Sequence, residues 1–197
     1  MDAKIGDWVV TPRTGKAVEI QALWYNALRI MADLAGRFRD AENQNKFSTM
    51  ANVACASFNG QFWNSEAMCL FDVVAGNEKD ASVRPNQIFA VSLYHSILDL
   101  EYARKVVEKV EDHLLTPVGL RSLSPDDERY VAVYNGTPFE RDSAYHQGTV
   151  WAWLIGPFID AYRKTHLNDK DLDERVEQFT AGFRAHNTEG MFGQVSE

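Results

Sequence analysis

Cysteine is scarce. Cys55 and Cys69 are the only two in 197 residues, too few for a disulfide framework, so a reducing cytosol is the expected compartment. Positive charge is not in excess: 20 Lys and Arg against 28 Asp and Glu leave a net charge of -8. That argues against nucleic acid or an anionic membrane as partner, either of which would need a basic face. No apolar run approaches the roughly 18 residues of a membrane span. Met1 to Asp7 also lacks the basic-then-apolar pattern of a secretory leader. His95, His113, His166 and His186 show no metal-ligand spacing and read as structural or surface residues. Gly119, Gly136 and Gly148 form no phosphate-binding fingerprint. Neither cysteine has a neighbouring base to make it a nucleophile. No cofactor and no metal are expected.

What remains is ample for a core. Apolar residues make up 45% and aromatics 12%, which suits a globular chain of about one domain. Six segments carry helical apolar spacing. The first stripe is Ile20, Leu23, Trp24, Ala27, Met31, Leu34 and Phe38, with Trp24 expected in the core. The second includes Phe47, Met50, Ala54, Phe58 and Phe62. The third runs from about Pro85 to Leu98, and the fourth places Leu100, Ala103, Val107, Val110 and Leu114 together. The fifth unites Trp151, Leu154, Ile155, Phe158, Ile159 and Tyr162, with Pro157 expected to bend it. The sixth holds Leu172, Val176, Phe179 and Phe183. Met68 to Val74 and Val131 to Tyr134 read as extended. Short polar joints alternate with long turn-rich loops. The expectation is therefore an all-α chain of helix hairpins packed as an α/α toroid, with short extended segments in the long loops and those loops gathered at one end.

Polar and aromatic residues crowd those loops. Trp8, Arg13 and Glu19 precede or open the first helix. Arg84 and Asn86 open the third. Asp142, Tyr145, His146, Gln147, Trp151 and Trp153 mark the exit of the longest loop. Carboxylates, planar amides, Arg and Trp or Tyr together suit a sugar, which needs bidentate hydrogen bonds to its hydroxyls and flat surfaces for its C–H faces. Cleaving a glycosidic bond needs two carboxylates, one to protonate the leaving oxygen and one to activate water or attack the sugar. Plainer roles compete at the same positions. Trp151 sits on an apolar stripe, His146 precedes a helix, Arg84 and Asn86 can shape a helix start, and Asp126-Asp127 reads as a turn.

Four ordered strings are more specific. Met1 to Ile20, Arg84-Pro85-Asn86-Gln87, Gly119 to Pro125, and Arg141-Asp142-Ser143-Ala144-Tyr145-His146-Gln147-Gly148-Thr149-Val150-Trp151 resemble the bacterial and archaeal glycogen-debranching enzymes, over the amylo-α-1,6-glucosidase domain. The resemblance implies part of an (α/α)6 toroid, and an inverting hydrolysis of the α-1,6-linked glucose at branch stubs of glycogen or branched α-glucan, with acid and base about 6.5–9.5 Å apart. It implies Asp2 as general acid and Glu197 as water-activating base, with Asp142 the rival for the base. It puts Trp8, Glu19, Arg84, Asn86, Asp142, Tyr145, His146, Gln147 and Trp151 at the substrate. Ala152 departs from the family's Trp-Pro-Trp pattern. The motifs at both ends look cut, so residues 1–197 are expected to be the C-terminal half of the catalytic domain, little active alone and prone to self-associate through the cut face. A non-catalytic carbohydrate-binding module, or another toroid sugar enzyme such as a trehalase-like hydrolase or an epimerase, are the alternatives.

Overall fold

A computed structural model describes residues 4–187. Asp2 and Glu197 lie outside the described residues. The chain opens with a hairpin of β1 (Lys4–Ile5) and β2 (Trp8–Val9), then β3 (Lys16–Ala17) leads into α1 (Val18–Arg37). A tight joint follows, where Arg39 takes a positive φ of 58°. Asp40 then caps α2 (Ala41–Phe62) by accepting from the Asn43 N–H at 3.1 Å. Strands β4 (Trp63–Asn64), β5 (Cys69–Leu70), β6 (Val73–Ala75) and β7 (Glu78–Asp80) come next. A 3-10 turn (Pro85–Ile88) runs into α3 (Phe89–Ser92) and then α4 (Leu100–Leu114). After β8 (Leu115–Thr116) and β9 (Gly119–Arg121) come α5 (Pro138–Ala144) and β10 (Val150–Trp151). A second 3-10 turn (Ala152–Leu154), α6 (Ile155–Thr165) and α7 (Leu172–His186) complete the described chain.

The all-α expectation is wrong. Among the described residues, ten short strands form four small antiparallel sheets, ordered β1-β2, β10-β9-β8, β3-β6-β7 and β4-β5. The physical reason lies at the helix ends. β4 starts where α2 stops, β8 starts where α4 stops, and β3 runs directly into α1. The chain there is buried at Cys69, Leu70, Val73, Val74 and Leu120, so its backbone groups need partners that water cannot supply. Hairpin pairing supplies them.

Five helical segments hold, with changes at their edges. The Pro85-to-Leu98 segment does not continue as one helix. Leu93 turns extended at ψ 153°, and the Ile97 N–H instead donates to the Ala90 carbonyl at 3.1 Å. Pro157 bends nothing, because α6 begins at Ile155 and puts the proline in the first turn, where its missing N–H has no intrahelical acceptor anyway. Trp151 belongs to β10 rather than to that helix. Val131 to Tyr134 is exposed and forms no strand.

The first stripe faces the wrong way for a core. Ile20, Trp24, Met31 and Phe38 are exposed, Trp24 by 51%, while Val18, Ala22, Leu28, Ala32 and Ala35 are buried. The small alanine side chains let α1 lie close to α2, so that face packs and the bulky face turns outward. The core itself joins Val18 and Ala22 of α1 to Phe58 and Phe62 of α2. It continues through Val106, Val107, Val110 and Leu114 of α4 to Leu154, Phe158 and Tyr162, with Phe179 of α7 against the last two.

Candidate functional site

The site is assembled by strand pairing at the helix ends. β3 pairs with β6 through Lys16↔Val74 and Ala17↔Val73, and the Val18 N–H extends that ladder to the Asp72 carbonyl at 3.0 Å. Three residues far apart in sequence then meet: Arg13 before β3, Glu19 in the first turn of α1, and Asp72 between β5 and β6. The Arg13 guanidinium donates to Asp72 through Nε (2.7 Å) and Nη2 (2.9 Å). It also donates to Glu19 through Nη1 (2.5 Å) and Nη2 (2.7 Å). Asn86 reaches Glu19 Oε1 at 3.5 Å.

Arg84 lies beside Asp72. Its Nη1 donates to the carbonyls of Ser122 (3.0 Å) and His146 (2.6 Å), and its Nη2 to Gln147 Oε1 (2.9 Å). Its Nε lies 3.9 Å from Asp72 Oδ2. Gln147 in turn donates to the Val10 carbonyl at 3.4 Å. Two guanidinium and two carboxylate groups, most of them buried, thus balance their charges. Burial alone would lower Arg13, but Glu19 and Asp72 more than offset it and hold its proton more firmly than usual. At Asp72 burial wins and pushes the carboxyl up, against the pull of Arg13. Burial also pulls Arg84 down, against Asp72.

An aromatic wall adjoins the ions. Tyr145, His146 and Trp151 are mutual neighbours, with the His146 and Trp151 rings edge-to-face at 5.2 Å. Trp153 stacks on Trp151 at 6.3 Å and on Phe89 at 6.1 Å, and it is 57% exposed. His146 Nδ1 and Trp151 Nε1 are buried without a hydrogen-bond partner among the described residues. Such atoms are costly to bury unmatched, and a hydroxylated ligand would satisfy them. Burial first, then the charges of Arg84 and Arg13, push the His146 imidazolium down to about 4, so the ring is neutral near pH 7.

Of the residues expected at the substrate, the fold gathers Glu19, Arg84, Asn86, Tyr145, His146, Gln147 and Trp151. Trp8 stands apart on β2 against Phe139, ring centroids 6.0 Å apart. Asp142 is exposed on α5. Asp72 was missed as a site residue, and Arg13 stood only among the polar residues before the first helix, with no place at the substrate. The signal for Asp72 was a lone charge inside the apolar run from Cys69 to Val74, which demands a buried cation. Among the described residues no His, Cys, Asp and Glu group could hold a metal, and no helix is long and apolar enough to cross a membrane. An apolar cavity of about 420 Å³ lies elsewhere, between α1 and α2, beside Trp24, Met50, Val53 and Phe58.

The chain is similar to known proteins. The chain is 29% identical over 191 aligned residues to the glycogen debranching enzyme of Saccharomyces cerevisiae, covering 80% of this chain and 12% of that enzyme. The neutral trehalase Nth1 of the same yeast, an (α/α)6 barrel, superposes with a TM-score of 0.67 at 15% identity. That match covers 89% of this chain and 32% of the trehalase, a likeness of fold alone. The family model for amylo-alpha-1,6-glucosidase matches residues 1–197 throughout, and the chain belongs to that family.

Proposed function

We propose that this chain is part of a glycoside hydrolase that cleaves the α-1,6-linked glucose at a branch stub of glycogen or limit dextrin, inverting the anomeric carbon. The observation that carries the reading is the ion cluster of Glu19, Arg13, Asp72 and Arg84 set against Tyr145, His146 and Trp151. Ionised acceptors and planar donors fix vicinal hydroxyls, while aromatic faces take the C–H side of a pyranose. Family membership over residues 1–197 supplies the reaction class.

In this reading Asp2 protonates the glycosidic oxygen and Glu197 deprotonates the attacking water on the opposite face of the ring. Asp142 is the rival for the base, although its exposure on α5 speaks against it. Glu19, Asn86, Arg84, Tyr145, His146, Gln147 and Trp151 hold the glucose, and Trp8 belongs to the outer approach. The cytosol suits the two unpaired cysteines, Cys55 and Cys69. The stretch spans 12% of the debranching enzyme it matches, and we assign it to the C-terminal portion of a larger catalytic domain. Alone, it should release little or no glucose.

The test is glucose release from an α-1,6-branched limit dextrin by the intact protein. Asp2→Asn should abolish turnover, with β-glucose as the first product of the unsubstituted protein. Retained turnover in Asp2→Asn, or α-glucose as first product, would overturn the acid assignment or the inversion respectively. Binding of maltooligosaccharide without any product would favour a carbohydrate-binding module instead.

A further inference from the structure

Asp72 is 2% exposed, and its backbone is pinned on both sides: its N–H donates to the Asp80 carbonyl at 2.8 Å and its carbonyl accepts from Val18 at 3.0 Å. Its partner is Arg13, which it grips by the Nε/Nη2 edge, while the Nη1/Nη2 edge of the same guanidinium grips Glu19. A guanidinium is rigid and planar, so fixing one edge fixes the other. We propose that Asp72 is a positioning residue that, through Arg13, sets the orientation in which Glu19 meets the sugar. This rests on the glucose-binding role proposed for Glu19.

The hydrogen-bond count on Glu19 gives the consequence. A carboxylate offers about four acceptor sites. Arg13 Nη1 and Asn86 Nδ2 occupy two on Oε1, and Arg13 Nη2 occupies one on Oε2. Among the described residues nothing else donates to Oε2, which leaves one site there for a sugar hydroxyl, and its direction is set by the plane that Asp72 imposes on Arg13. A buried ion pair is a weak source of net stability compared with apolar packing. Orientation of Glu19 is a role that an apolar pair at 13 and 72 would not fill.

A double-substitution cycle tests this in the intact protein. Glucose binding is read by calorimetry, and stability by denaturant midpoint, for Glu19→Gln, Asp72→Asn and the double variant. We expect each single change to weaken glucose binding about tenfold, and the double variant to lose no more than Glu19→Gln alone. A roughly hundredfold loss in the double variant, or unchanged affinity in Asp72→Asn, overturns the proposal. If Asp72→Asn does not fold, Arg13→Lys replaces it. Lysine keeps the charge but cannot bridge two carboxylates edge by edge, so the same non-additive loss is expected, and additivity refutes it. If the unsubstituted protein binds no glucose, the reading of Glu19 as a sugar ligand fails. The midpoints then decide the coupling: a double variant no less stable than the worse single supports the Asp72–Glu19 linkage, and additive losses overturn it.

Discussion

His146 is the residue whose surroundings do most to change its chemistry. Its pKa of about 4 lies below the roughly 6.5 of an unfolded histidine. Between those values the unfolded chain binds a proton that the folded chain refuses. Stability is therefore full above about pH 6.5 and falls as pH drops toward 4. Denaturant midpoints from pH 7 to pH 4 should show a loss that His146→Gln reduces by about 2 kcal/mol. An identical pH profile in both proteins would count against a buried neutral imidazole. Gly148, two residues on, takes φ +148°, where a Cβ would meet the Val131 carbonyl oxygen and the Tyr130 ring. Gly148→Ala should lower stability by about 1–3 kcal/mol, measured by thermal or chemical unfolding. At this scale the site was partly readable. Arg84, Asn86, His146 and Gln147 stand in motifs that resemble a known family, whereas Asp72 announces itself only as a charge among apolar neighbours. The guanidinium that neutralises it comes from 59 positions away, which no local pattern reveals.

The elements show where local pattern holds and where packing overrides it. α2, α4 and α7 bury part of the stripe their spacing marks: Phe58 and Phe62 of α2, Ala103, Val107, Val110 and Leu114 of α4, and Phe179 of α7 are buried, whereas Met50 and Leu100 are exposed. The segment after Pro85 carries helical spacing too, yet α3 ends at Ser92. Lys164 from α6 explains that end. Its ammonium, lowered in pKa by burial, donates to the carbonyls of Val91 (3.2 Å), Ser92 (2.9 Å) and Leu93. A cation at a helix C-terminus satisfies carbonyls that have no intrahelical donor. Lys164→Met should keep the packing of the stem and lose about 1–3 kcal/mol of stability at pH 7, read by chemical denaturation. An unchanged midpoint would mean that water caps α3 equally well. The strands were the least readable elements. Most are two residues long, too short for an alternating pattern to register.

Across the whole molecule, α1 has two apolar faces and the described chain covers one. Trp24, Met31 and Phe38 on α1 and Val53 on α2 remain exposed, and Trp24 and Val53 also line the cavity between the two helices. Large apolar side chains exposed along one helix face often mark an interface. The 197-residue chain should therefore self-associate, and light scattering should report species larger than 22.3 kDa. Trp24→Glu combined with Met31→Glu should restore the monomer without altering the core face of Ala22, Leu28 and Ala32. A strictly monomeric unsubstituted chain would rule this surface out as a self-association face.

The sequence by itself determined the helical segments, the acidic balance and the ordered motifs that belong to one glycosidase family, because periodicity, charge and short strings are local properties. Only the tertiary structure decided which face of α1 is buried, since both faces are apolar and the choice fell to the small side chains that let α2 come close. It also decided that Arg13, Glu19 and Asp72 form one ion cluster. Their meeting depends on the register of β3 against β6, and register is set by pairing between distant segments.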